Sequence, residues 1–115
     1  MDERLANALE FTKLQHTLYL EKKRIQAKLH RDLELAYGGG IFTIDRNFIV
    51  FLEMFNPDED GSVTILDNNL NPIVISNPED FKNEVRNTYF RAVNRYRVDF
   101  ENIKNKRTIK GIVDL

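Results

Sequence analysis

Cysteine is absent from the 115 residues, which excludes disulfides, thiol catalysis and thiolate metal ligation. Serine is almost as scarce: Ser62 and Ser76 are the only two, and no histidine base stands near either. A nucleophile with its activating base therefore has no candidate in this chain. Histidine occurs twice, as His16 and His30, without the HExxH spacing that would put two imidazoles on one metal. No long apolar run exists either. The densest, "FIVFLEMF" at 48–55, falls far short of the roughly 20 residues a membrane-spanning helix needs. The opening "MDERLANALEF" is acidic and has no apolar core of the secretory type. These absences lead us to expect a soluble, cytoplasmic protein with no cofactor, no membrane partner and no catalytic constellation.

The chain does carry 42% hydrophobic and 30% charged residues, the balance of a globular protein. Its length fits one domain over 1–115. Eight Phe and four Tyr supply much of the large apolar surface, so the core should be aromatic. The formal charge is −1 but unevenly spread. Residues 1–37 hold seven Lys/Arg and six Asp/Glu, residues 38–81 one and eight, and residues 82–115 nine and four. An acidic middle and a basic last third can complement each other within the fold or turn opposite faces to partners.

The periodicity predicts an α+β fold. A long amphipathic helix is expected over about 2–36, because this stretch has no Gly or Pro and because Phe11, Leu14, Leu18, Ile25, Leu29 and Leu33 recur at helical spacing. Asp2 is its candidate N-cap, and "YGGG" supplies a permissive backbone to end it. A short helix is expected over about 45–55, from Phe48, Phe51, Leu52 and Phe55 behind a Thr43 or Asp45 cap. Two β-rich segments around an Asn-rich connection predict a hairpin over about 62–75. "NPEDF" then opens a second long helix, over about 78–105. Asn77 caps it, Pro78 takes the first position, and Glu79 and Asp80 lie at the positive end of the dipole. Phe81, Val85, Tyr89, Val93, Tyr96, Phe100 and Ile103 form its stripe. The two long helices are expected to pack antiparallel, with the middle segment between them in sequence.

The closest approach to a chemical motif is "NPDEDGSVTILD". Aligned with an EF-hand loop, it puts Asn56, Asp58, Asp60, Ser62, Thr64 and Asp67 at the ligand positions and Gly61 at the turn. It departs from that pattern with Asn at the first position, Pro57 at the second and Asp, not Glu, at the last. No helix follows the loop. The stretch reads as a polar turn feeding a strand, with weak calcium binding as the alternative. The basic residues of the last third, Arg86, Arg91, Arg95, Arg97, Lys104, Lys106 and Arg107, are interleaved with aromatics, a pattern suited to nucleic-acid backbones and bases. Tyr89 and Tyr96 belong to the apolar stripe, however, and the overall pI near 6.1 is not that of a dedicated nucleic-acid binder. Phe90, Ile112, Val113 and Leu115 are the candidate interface residues.

At "YGGGIFTID", "NPIVISNPEDFKNEV" and "KNKRTIKGIVDL" the chain resembles small proteins encoded by marine tailed phages of the T-even type. The resemblance implies a phage accessory or virion-associated setting, in host cytoplasm or virion, and brings no catalytic residues with it. The leading expectation is a non-enzymatic adaptor or assembly protein whose partner is another protein or a second copy of itself, as a homodimer. A nucleic-acid-associated accessory factor is the alternative.

Overall fold

The computed structural model describes residues 2–109, with side chains through Lys106. In chain order it contains α1 (Glu3–Asp32), β1 (Glu34–Tyr37), β2 (Gly40–Thr43), α2 (Arg46–Leu52), β3 (Val63–Leu66), β4 (Pro72–Ile75) and α3 (Pro78–Ile109). Two long helices, a short one and two antiparallel hairpins make it an α+β fold. None of the described helices is long and apolar enough to cross a membrane. The described residues divide into two compact units, one built from 2–28 and 95–109, the other from Leu29–Asn94.

The helix starts follow from local chemistry. The Asp2 carboxylate accepts the Arg4 amide at 3.2 Å, Asp45 accepts the Phe48 amide at 2.7 Å, and Asn77 accepts the Asp80 amide at 3.1 Å. Each side chain satisfies one of the amides that a first helical turn leaves unpaired.

The end of α1 corrects the expectation. The helix stops at Asp32 and not near 36, and "YGGG" is not its cap. Leu35 and Tyr37 alternate with exposed neighbours in β1, which pairs with β2 in the register Glu34↔Thr43 to Tyr37↔Gly40. The connection is the two-residue loop Gly38-Gly39, with φ of +61° and +86°. Two positive φ values in a row give the turn whose twist matches that of the strands, and glycine meets no Cβ penalty there. The expected hairpin over 62–75 is β3 and β4, with Val63 opposite Ile75 and Leu66 opposite Pro72.

In the unit Leu29–Asn94, one face of each hairpin, α2 and the first half of α3 share a core. It contains Phe42, Ile44, Leu52, Val63, Ile65, Ile73, Ile75, Phe81 and Val85. Phe81 is fully buried at its centre, with ring centroids 4.9 Å from Tyr37, 5.3 Å from Phe42, 6.1 Å from Phe48 and 6.2 Å from Phe55. Burying one such ring stabilises by roughly 1.5–3 kcal/mol, and its edge-to-face contacts add to this. This packing is what makes two separate two-stranded hairpins stable, since either one alone would be marginal in water. The expected α3 stripe needs one correction here: Ala92 is buried while Val93 is exposed.

In the unit of 2–28 and 95–109, α1 and the end of α3 pack through Leu18, Ile25 and Ile103, flanked by Leu14, Tyr96 and Phe100. Lys28 pairs with Asp99 at 3.3 Å and Glu21 with Lys106 at 3.2 Å. One chain segment rises in number as the other falls, so the two run antiparallel, as expected. Phe11, read as part of the buried stripe, is exposed.

Candidate functional site

The EF-hand-like stretch folds as a turn followed by a strand. The Asp58 amide donates to the Ser62 carbonyl at 2.8 Å, and the Gly61 amide donates to the Asp58 carbonyl at 2.9 Å. Asp60 Oδ1 accepts both the Ser62 hydroxyl, at 2.7 Å, and the Ser62 amide, at 3.0 Å. The hydroxyl bond is the main reason the Asp60 carboxyl lies below its ordinary 3.8, with the amide next. Thr64 is exposed on β3. The strand then carries the chain from Ser62 to Asp67 at roughly 3.3 Å per residue, about 16 Å in all. Asp58, Asp60 and Asp67 are not brought together, and among the described residues no three His, Cys, Asp or Glu side chains form a group that could hold a metal ion.

Asp67 has a different role. It is buried, and its Oδ1 accepts the amides of Asn69 and Asn71, both at 2.9 Å. Its Oδ2 accepts the Ile41 amide of the other hairpin at 3.2 Å. The bond from Asn71 is the largest of the causes that hold this carboxyl below 3.8, and the amides of Ile41 and Asn69 act in the same sense against burial. The neighbouring Asn68 donates its amide to the Ile41 carbonyl at 2.9 Å, and its side chain exchanges bonds with Thr43. Asp67 and Asn68 thus satisfy the outer edge of β2 as a short third strand would. The same bonds hold Leu70 at φ +62° on the loop tip, 75% exposed.

Tyr37 donates its hydroxyl to Asp80 at 2.7 Å. This bond, then burial and the charges of Asp80 and Glu84, raises the phenol above its ordinary 10.0. It joins β1 to the first turn of α3, and no nucleophile stands beside it.

The basic residues of α3 do not form one surface. Arg97 and Lys104 share one side of the helix and Arg95 and Lys106 the other, since residues two apart differ by about 200°. Arg97 lies 4.0 Å from Glu101, and Lys106 is paired with Glu21. In the other unit, Arg86 lies 3.4 Å from Glu53, while Arg91 is exposed. The side chain of Arg107 and the residues Ile112, Val113 and Leu115 lie outside the described part of the structure. Phe90 is exposed and rests edge-on against Tyr89, with centroids 5.3 Å apart.

Between α1 and the end of α3 lies a cleft of about 330 Å³, where Glu21, Arg24, Asp99, Asn102 and Lys106 surround Ile25 and Ile103. Glu21 Oε1 takes Lys106, while its buried Oε2 has no hydrogen-bond partner. The lining holds two acidic and two basic side chains around two apolar ones, so it can hold a small polar group.

The most extensive feature missed in the sequence is apolar. Leu5, Leu9, Tyr19 and Leu20 of α1 are 53%, 45%, 56% and 53% exposed. At 100° per residue, Leu5, Leu9, His16 and Leu20 form a row about 180° from Leu14, Leu18 and Ile25, on the side away from α3. The spacing of four, seven and four was its available signal. In the other unit, Leu66 and Val74 form a diagonal pair on the outward face of β3–β4, and Leu70 is exposed in the loop that joins the strands. Val50 in α2 and Met54 in the turn just past it are exposed.

Compared with protein-family models, curated proteins and solved structures, the chain matches none.

Proposed function

We propose that the chain is a non-enzymatic adaptor or assembly protein that works by protein–protein contact, in the phage accessory or virion-associated setting its resemblance implies. The observation that carries this reading is the second apolar row of α1, on the side opposite the one that packs on α3. Leu20 stands on the outer side of the stretch that packs on α3, where a helix usually turns polar residues to solvent. Leu5 and Leu9 are exposed ahead of it, and exposed apolar residues along one row support association. The outward row of β3–β4 adds support, above all Leu70, whose left-handed backbone costs roughly 1–2 kcal/mol. That strain presents an apolar side chain at a loop tip, away from the core.

Affinity capture from infected host cells or virions tests the reading. Wild-type bait should recover a defined protein partner, and baits carrying Leu9→Glu or the pair Leu66→Ser and Val74→Thr should lose it. A strictly monomeric chain that recovers no partner would overturn the proposal. Replacing Arg91 and Arg95 with Glu should leave the protein contact intact. Salt-dependent nucleic-acid affinity abolished by that change would make the protein a nucleic-acid-associated factor instead.

A further inference from the structure

We infer that the outer row of α1 is covered by α1 of a second copy of this chain, antiparallel and related by a two-fold axis. The inference rests on the protein-contact reading above and names the partner. Its first support is the self-complementary order of the row. Pairing each residue i with residue 25 − i sets Leu5 against Leu20 and Leu9 against His16, and the axis passes between Thr12 and Lys13. Leu5 thus meets Leu20 of the other copy at each end of the row, as an isologous contact requires, and Leu9 meets His16.

The second support is charge. The first turn of α1 is acidic, with Asp2 and Glu3, and six turns later the helix reaches Lys22, Lys23 and Arg24. The same antiparallel register puts Asp2 opposite Lys23, both on the row, with Arg24 at its flank. Glu3 lies farther round the helix and adds a longer-range attraction, and Lys22 stands over Phe100 on the α3 side at 5.8 Å. A parallel arrangement would set acid against acid and base against base, so the charges select the orientation. Tyr19, whose ring lies under the Lys23 ammonium at 5.5 Å, sits at the border of the row and widens it. Thr12, Lys13 and His16 make the centre polar, with a Lys13 ammonium from each copy near the axis. The pairing is therefore one of modest affinity that depends on concentration and weakens with salt as the end charges are screened.

Sedimentation of the full chain across a wide concentration range, at low and at high salt, tests the inference. Wild type should pass from monomer to dimer, with the transition displaced to higher concentration by salt. Leu9→Glu should raise the dissociation constant at least tenfold while leaving the circular dichroism unchanged, because Leu9 makes no part of the core. Charge reversal supplies the orientation test. One variant carries Asp2→Asn, which keeps the helix cap, with Glu3→Lys; the other carries Lys23→Glu with Arg24→Glu. Each alone should dimerise more weakly than wild type, and an equimolar mixture should recover wild-type association. Wild type that stays monomeric throughout overturns the self-pairing, and the capture experiment then decides separately whether another protein binds. A mixture no stronger than its components overturns the antiparallel register.

Discussion

The Asp67 carboxylate crosses from one hairpin to the other and accepts the amide of Ile41 at 3.2 Å, while its second oxygen holds the amides of Asn69 and Asn71. One side chain therefore shapes the 68–71 loop and closes the edge of β2. Asp67→Asn keeps the shape but turns an NH2 group or a single shared oxygen toward donors that need two acceptors. This substitution should lower the melting temperature by several degrees, and Asp67→Ala by more. Acid should act through the same contacts. Asp67 and Asp60 both have folded values depressed below the ordinary 3.8. Their stabilisation is fully present above that value and is lost as pH falls through the folded values. Melting temperature should thus drop on acidification below about pH 4, and the drop should be shallower in Asp67→Asn. Thermal scans of both proteins across acidic pH check this; parallel curves would refute it.

Calcium should leave this region unchanged. Both Asp67 oxygens and Asp60 Oδ1 are already occupied by amides or a hydroxyl, and β3 separates the two carboxylates. Titration with millimolar calcium should shift neither the melting temperature nor the NMR amide signals of residues 56–67. A saturable shift of the Asp58 to Asp67 amides would contradict the geometry.

Gly39 and Gly40 should respond to alanine for different reasons. Gly39 has φ +86° with open space around it, so Gly39→Ala costs about 1–2 kcal/mol of backbone strain, and Gly39→Asn should cost less. A Cβ on Gly40 would stand 2.7 Å from Ile73 Cγ1 and 3.2 Å from Asp67 Cβ. Ile73 is itself buried, so Gly40→Ala should cost about 1–3 kcal/mol through overpacking, and Gly40→Asn should cost more, the reverse of the order at Gly39. Denaturant unfolding of the four variants separates the two mechanisms.

What the sequence made legible was short-range. Asp2, Asp45 and Asn77 were readable as caps because each acts on an amide two or three residues away. The β1–β2 hairpin was hidden because Leu29 and Leu33 extend the helical spacing up to the strand, so residues 34–36 read as the last turn of the helix and "YGGG" as its stop. The deciding signal was Gly38-Gly39 as a two-residue loop between alternating residues, closed by the bond from the Ile44 amide to the Leu33 carbonyl. The cross-hairpin bond of Asp67 was hidden for a deeper reason. Its partner Ile41 lies 26 residues away in sequence, and ligand spacing along a chain says nothing about whether a strand will pull the ligands apart. The outer row of α1 was readable in principle, but the inner stripe gave the stronger pattern and drew attention from Leu5, Leu9 and Leu20.

Apolar packing, and not the ion pairs beside it, should hold α1 to the end of α3. Ile25 is 1% exposed within the small cluster of Leu18 and Ile103, and truncating it leaves a cavity few neighbours can fill. Ile25→Ala should cost about 2–5 kcal/mol. The Lys28–Asp99 pair lies nearby at 3.3 Å, but its side chains remain 41% and 30% exposed. Water screens such a pair and two long side chains lose freedom in making it, so Asp99→Asn should cost under about 1 kcal/mol. Amide exchange at residues 96–106 separates the two cases: protection there should collapse in Ile25→Ala and stay near wild type in Asp99→Asn. If Asp99→Asn instead released those amides as fully as Ile25→Ala, the charge pair would be the main restraint on this helical pair and the apolar cluster secondary.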